Sequence, residues 1–176
     1  MERREATAKR ALAYARELQR VASESIPVVA APLNGTRNLV DELVTEPELR
    51  EEVRQLYLDG HYSQAVEEGF KFLNNLVRRR TGSSADGAPL MTTAFSPTGP
   101  LLKLNELKTT SQKDQQQGYM RMLEGAMIGV RNPRAHDHRH FDEPRNALEL
   151  LAFCNHLVRT VATATRARRR KARART

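Results

Sequence analysis

The sequence predicts an all-α protein, an up-and-down helical bundle with one long loop and an extra N-terminal helix. Apolar residues recur at helical spacing along most of the chain, and no segment alternates convincingly as a β-strand. Residues 82–110 carry three of the eight prolines and three of the nine glycines, which predicts the long connection. At 39% of 176 residues, apolar side chains suffice for one core.

Each helix follows from a stripe of apolar side chains bounded by capping or breaking residues. The first stripe is narrow and built mainly of alanine, so this helix suits docking on a partner better than forming a core. The segment SIPVVAAPLNGT, residues 25–36, breaks the pattern and predicts a linker. The predicted helices span residues 2–24, 45–58, 61–80, 86–95, 112–131 and 144–161.

Polar residues that precede four of these helices predict their N-caps. Thr45 and Glu48 have the spacing of a capping box, and Pro47 suits the first helical turn. Three later helices are each preceded by a single polar residue that can act as the N-cap. Gly82, which follows three arginines, predicts the C-terminal end of the helix at 61–80. The other three predicted caps are Asp86, Ser111 and Asp142.

The net charge of +8 is concentrated at one end of the chain. Residues 166–176, RARRRKARART, hold seven basic side chains, and without them 22 basic and 21 acidic residues remain. We therefore expect three parts: an N-terminal helix and linker (1–36), a helical domain (37–165) and a disordered tail (166–176). Arginines in the tail would bind phosphates without reading sequence, or the tail serves only solubility. The tail arginines chosen as nucleic-acid contacts are Arg168, Arg169 and Arg170.

Several classes of protein are excluded by composition. The single cysteine, Cys154, excludes an intramolecular disulfide and any zinc site built from several cysteines. No apolar run approaches the roughly 18 residues of a membrane helix, so no membrane partner is expected. The N-terminus lacks the apolar stretch of a secretory signal, which makes the cytoplasm the expected location.

One short segment, RNPRAHDHRH at residues 131–140, concentrates the ionisable groups. We expect Pro133 to end the preceding helix, so that Arg131 and His136 flank a stiff loop. A guanidinium suits phosphate oxygens, and an imidazole can move protons near neutral pH. Asn132 could orient the imidazole or donate to a phosphate oxygen. A solvated basic turn explains the same residues without any chemistry.

The order Arg131-Asn132-…-His136 resembles the R-x4-6-H motif of the HEPN superfamily of small all-helical ribonucleases. Four segments resemble the phage-associated Ymh family, which is similar to HEPN proteins, over roughly residues 47–162. These segments are DGHYSQAVEEGFKFLNNLVRRRTG (59–82), DGAPLMTTAFS (86–96), QQQGYMRMLEGAMIGVRNPRAHDH (115–138) and ALELLAFCNHLVRT (147–160).

The resemblance implies an endoribonuclease that works without a metal or other cofactor and leaves a 2′,3′-cyclic phosphate. It implies Arg131 and His136 as the catalytic pair and Asn132 as their polar accessory. HEPN proteins usually form homodimers whose motifs face each other, and they often act as toxins or phage-defence effectors. An antitoxin or another defence protein is then a further expected partner. The family motif demands neither Arg134 nor Asp137. Charge, and not the resemblance, makes Arg134, Arg78, Arg79 and Arg80 the further expected RNA contacts.

Three alternatives stay open. His136, His138 and His140 alternate along the chain, and in an extended segment they could together bind zinc. A non-catalytic helical module could use the same loop to bind a nucleic acid or a partner protein. A structural accessory of a larger defence complex would dock through the helix predicted at 2–24.

Overall fold

The computed structural model describes residues 39–136 and 140–167. The chain divides after Gly35 into two units, and every described residue belongs to the second, Thr36–Thr176. The helix predicted at 2–24, the linker at 25–36 and tail residues 168–176 lie outside the described residues. The described part confirms the predicted all-α class, because helices make up nearly all of its regular structure.

The helices follow the predicted order, with differences at their ends. After a short helical segment at 39–43, α1 and α2 form an antiparallel pair that is joined at Gly60, which has a φ of 85°. The bounds are α1 (Pro47–Leu58), α2 (Tyr62–Thr81), α3 (Gly87–Phe95), α4 (Thr110–Ala126), a π-helical turn (Met127–Arg131), α5 (Asn132–His136) and α6 (Pro144–Thr163).

A two-stranded antiparallel sheet joins the long connection between α3 and α4 to the segment that follows α6. Its strands are β1 (Leu102–Lys103) and β2 (Thr165–Arg166). The sequence predicted no strand, because two residues are too short to show alternation. Leu102 pairs with Arg166, and the Ala167 N–H donates to the Leu101 carbonyl at 2.9 Å. Arg166, which the sequence assigned to the disordered tail, therefore belongs to the fold.

Helix α2 lies at the centre of the core and contacts α1, α3 and α6. The closest approach is at Gly69, where a Cβ atom would lie 3.3 Å from the Leu151 side chain of α6. The buried Cys154 thiol donates to the Gly69 carbonyl at 3.2 Å. Helix α2 ends as predicted at Gly82, whose φ of 69° is the left-handed conformation that glycine adopts readily.

One buried amide holds the long connection in place. The side chain of Gln116 on α4 is fully buried. Its Oε1 accepts from the Leu104 N–H at 3.0 Å, and its Nε2 donates to the carbonyls of Phe95 and Leu102, each at 3.0 Å. These three bonds satisfy backbone groups of the loop that have no partner in a helix or sheet.

The predicted N-caps of α1 and α4 are wrong, because neighbouring groups satisfy these helix ends instead. Helix α4 begins two residues earlier than predicted, with Thr109 and Gln112 forming the capping box in place of Ser111. At α1 the N-cap is Glu46, and its backbone N–H donates to Asn155 of α6 at 2.9 Å. Thr45 accepts from the same Asn155 at 3.1 Å, so its hydroxyl joins two helices.

Candidate functional site

The arginine–histidine motif lies on a helix, contrary to the prediction that Pro133 ends the helix before it. The turn Met127–Arg131 is π-helical, and the Asn132 N–H donates to the Met127 carbonyl five residues earlier. Pro133 then falls in the first turn of α5, where its missing N–H leaves no helical bond unmade. The wider turn therefore lets the chain stay helical through His136. Such π turns are frequent at functional sites.

Arg134 is fixed inside the fold by every nitrogen of its guanidinium. Nε donates to Oδ2 of Asp142 at 2.7 Å, Nη2 to Oδ1 at 2.5 Å, and Nη1 to the Val130 carbonyl at 2.7 Å. The side chains of Arg134 and Asp142 are 5% and 1% exposed. Arg134, which the sequence offered as an RNA contact, therefore has its donors occupied by the protein.

Asp142 was predicted to cap α6, and the structure gives it a different role. The N-cap residue of α6 is Glu143, without a side-chain cap bond. The Asp142 carboxylate accepts from Asn146 at 2.7 Å as well as from Arg134, and His140 Nε2 lies 3.7 Å from its Oδ1. Burial alone would raise the pKa of Asp142, but the hydrogen bonds and charge of Arg134 outweigh it and hold the pKa below 3.8.

Arg131 is held far more loosely than Arg134. Its Nη1 lies 3.4 Å from Oδ2 of Asp86, longer than the 2.7–2.9 Å of a strong charge-assisted bond. Its Nε is buried without a hydrogen-bond partner among the described residues, and its side chain is 20% exposed. A buried unpaired donor of this kind is unusual and calls for an explanation.

The acid that faces Arg131 is itself fixed. Asp86 is the N-cap residue of α3, as predicted, but its side chain caps nothing. Its Oδ1 accepts from Asn74 of α2 at 2.6 Å, and Asn74 in turn accepts from the Gly87 N–H at 2.9 Å. Asp86 thus links α2, α3 and the motif. The sequence offered no sign of the contact with Arg131, because 45 residues separate the two.

The other two motif residues are accessible. His136, the last residue of α5, is exposed, and Asn132 at its start is half-buried. Five helical residues place Arg131 and His136 about 7.5 Å apart along the axis. Among residues 39–136 and 140–167, no group of three His, Cys, Asp or Glu side chains could hold a metal ion. His138, a member of the alternative zinc site, lies outside those residues.

The arginine cluster at the end of α2 has mixed roles. Arg80 donates to carbonyls at the end of α6, including that of Val161 at 2.6 Å, so its side chain caps the C-terminus of that helix. Arg79 lies over the Phe72 ring at 5.6 Å and 3.5 Å from Glu48. Arg78 is half exposed and 4.0 Å from Asp86, on the side of the motif. Arg168, Arg169 and Arg170 lie outside the described residues.

No helix of the described part is long and apolar enough to cross a membrane.

Comparison with known proteins gives one match, to a family model. Neither the curated proteins nor the solved structures contain a match to the chain. A family model matches residues 44–161, which includes α1 to α5 and most of α6. The chain therefore belongs to the family described as protein of unknown function (Hypoth_ymh).

Proposed function

We propose that this chain is a metal-independent endoribonuclease of the HEPN type, acting in the cytoplasm as a toxin or phage-defence effector. The difference between two arginines on one helical segment carries the proposal. Among the described residues, Arg134 has all its guanidinium nitrogens bonded and a side chain 5% exposed, whereas Arg131 has one long contact and a buried unpaired Nε. A guanidinium that makes few hydrogen bonds with the protein, on the same helical segment as an exposed histidine, can bind an anionic ligand.

The proposed reaction is transfer of an RNA phosphodiester to the neighbouring 2′-hydroxyl. A base removes the 2′ proton, O2′ attacks phosphorus, and the bond from phosphorus to O5′ breaks as an acid protonates O5′. The products are a 2′,3′-cyclic phosphate and a free 5′-hydroxyl. His136 would move one of the two protons, and Arg131 would stabilise the negative charge that accumulates on the phosphate oxygens. Asn132 would orient one of these groups.

The second proton-transfer group would come from a second copy of the chain. The C-terminal part of α4 and the π-helical turn after it, which lead directly into the motif, expose apolar side chains within the described part of the chain, and such a copy would pack on them. Ile128 and Met122 are 54% and 39% exposed, and a Cβ atom at Gly125 would meet nothing within 4 Å. A homodimer through this face would bring two motifs near each other by two-fold symmetry.

Cleavage rates of purified variants test the catalytic proposal. In the presence of excess chelator, we expect wild type to cut single-stranded RNA. Arg131→Ala should be slower by about 10²–10³-fold and His136→Ala by about 10²–10⁴-fold. Arg145→Ala is the matched control, because the side chain of that arginine is 91% exposed and its pair is a surface contact with Glu149. Equal rates for His136→Ala and the control would contradict the proposal.

The dimer is tested separately by Gly125→Arg. The open space at this position lets the larger side chain leave the monomer fold intact. We expect light scattering to give a monomer for this variant and a dimer for wild type, with cleavage lost in the monomer. A monomer that cuts RNA as fast as wild type would refute the composite site but leave Arg131 and His136 in place.

RNA binding without cleavage would favour the alternative, a non-catalytic module within a defence complex. The same variants separate the two, because a binding module loses affinity on Arg131→Ala and yields no new RNA ends in any form. Loss of activity on chelation, restored by zinc, would instead favour the metal site.

A further inference from the structure

A small surface cavity lies beside the motif helix, where the start of α2 meets the segment before α6. Its volume is about 220 Å³, below the roughly 300–1,000 Å³ of sites that enclose a whole drug-sized ligand. It therefore suits a single ring better than a complete nucleotide. The lining includes Phe141 and Tyr62, two imidazoles, His61 and His140, and the amide of Gln64.

Phe141 is the unusual member of this cavity. Its ring is 71% exposed, whereas every other aromatic side chain in the described ranges 39–136 and 140–167 is buried or half-buried. A single exposed apolar residue needs no explanation of its own. An exposed ring at the wall of a ring-sized cavity, with hydrogen-bonding side chains on the other walls, has the composition of a site that stacks a planar ligand.

The cavity is joined to the motif by the buried ion pair. Asp142, next to Phe141 in the chain, is part of the cavity lining and receives both hydrogen bonds from Arg134. Arg134 lies on α5 between Arg131 and His136. This contact ties Asp142, the neighbour of Phe141 in the chain, to α5. Arg131 faces Asp86, which accepts from Asn74 of α2, and Asn74 lies about 18 Å along that helix from Tyr62 at the cavity. A base in the cavity would therefore belong to a nucleotide further along the strand than the phosphate that Arg131 is proposed to hold.

We infer that this cavity is a nucleobase subsite, in which a base of single-stranded RNA stacks on Phe141. The inference rests on the proposed function, since RNA at the motif supplies the base. Stacking tolerates any base, because every base has a π face. The imidazole of His61 and the amide of Gln64 would contact the base edge and give the site its preference among bases.

Binding of a non-cleavable oligonucleotide tests the subsite whether or not the chain is a nuclease. A labelled 2′-O-methyl RNA has no 2′-hydroxyl to attack, so its affinity can be measured by fluorescence anisotropy on the full chain. Loss of one stacked base corresponds to a weakening between about fivefold and 150-fold, which we expect for Phe141→Ala. Leu43→Ala, at another exposed apolar residue that belongs neither to the cavity nor to the proposed dimer face, is the matched control and should bind as wild type does.

The chain has no tryptophan, so Phe141→Trp gives a protein whose single tryptophan lies at the subsite and can be excited selectively beside the four tyrosines. We expect it to bind like wild type and its emission to be quenched by the oligonucleotide. An abasic strand of the same length should bind through its phosphates without quenching. Equal quenching by both strands, or equal affinity of Phe141→Ala and Leu43→Ala, would overturn the inference.

The outcomes also separate this inference from the catalytic proposal. Base-dependent quenching in a protein that never cuts RNA would support the subsite and refute the nuclease. Cleavage that depends on His136 together with unchanged binding by Phe141→Ala would refute the subsite alone. If Phe141→Ala changes the oligomeric state and leaves RNA affinity unchanged, a second copy covers the ring and the inference is wrong.

Discussion

Replacing Arg134 with methionine tests whether this arginine holds the motif helix in place. The substitution keeps an unbranched apolar stem in place of the arginine methylenes and removes all three donor nitrogens. It leaves Asp142, 1% exposed, without its charged partner, and the Val130 carbonyl without its donor. Breaking a buried ion pair on one side costs about 3–5 kcal/mol. Asn146 and His140 still face the carboxylate, so we expect about 3 kcal/mol of lost unfolding free energy.

Urea denaturation of the variant and of a surface control gives this number directly. Arg145→Met is the control, because its pair with Glu149 at 3.2 Å is exposed on both sides and such pairs contribute about 0–1 kcal/mol. The double variant Arg134→Met with Asp142→Leu should recover part of the loss, since it no longer buries an unpaired charge. A shift for Arg134→Met no larger than that of the control would refute the structural role.

The pH dependence provides a second measure of the same pair. The pKa of Asp142 lies below 3.8 in the folded protein, so the pair stabilises the protein fully above the unfolded-state pKa. That contribution is lost as the pH falls below about 4, through the folded-state pKa. Without the arginine, burial raises the pKa of Asp142 above its unfolded-state value, so protonation then relieves the buried unpaired charge. The stability that Arg134→Met lacks relative to wild type should therefore shrink as the pH falls through this raised pKa. Identical acid-unfolding curves, after correction for stability at pH 7, would contradict this account.

Three further substitutions or treatments test the fold around the site. Gln116→Ala leaves three backbone groups, two of them in fully buried hydrogen bonds, without their side-chain partner and should cost about 3 kcal/mol by urea denaturation. A loss under 1 kcal/mol would contradict its role. Thr109→Ala removes the capping box of α4 and should cost about 1 kcal/mol in the same assay, whereas Ser111→Ala, at the wrongly predicted cap, should cost almost nothing. Burial raises the pKa of the Cys154 thiol well above its usual value, so a thiol reagent should modify it only after unfolding, and fast reaction of native protein would contradict its burial.

The sequence was sufficient for the helices because their apolar stripes are local. The stripe of α2, for example, gives its buried face correctly, and Gly82 marks its end. The N-caps were predicted less accurately than the helices. Thr45 and Asp142, for example, form hydrogen bonds with Asn155 and Arg134 and do not cap a helix. A polar side chain before a helix can bond to the helix N-terminus or to another part of the protein, and the tertiary structure determines which of these bonds forms.

The motif could be found from its residues, but the roles of its arginines could not. Arg131 and Arg134 look alike in sequence, and only their acids distinguish them: Asp86 at 3.4 Å for one, Asp142 at 2.7 Å for the other. The helical course through Pro133 was also hidden, because a π turn depends on packing and not on a residue pattern. The exposure of Phe141 could not be predicted, because one sequence does not show whether an aromatic ring is buried.

The chemistry of RNA ends in cells that express the chain tests the central claim most directly. Wild type and His136→Ala are induced to equal protein levels, and RNA 3′ ends are mapped with and without enzymatic removal of cyclic phosphate. We predict that wild type arrests growth and produces new ends that are detected only after that removal, whereas His136→Ala does neither. Equal growth arrest by the two proteins, with no new RNA ends from wild type, would contradict the proposed nuclease.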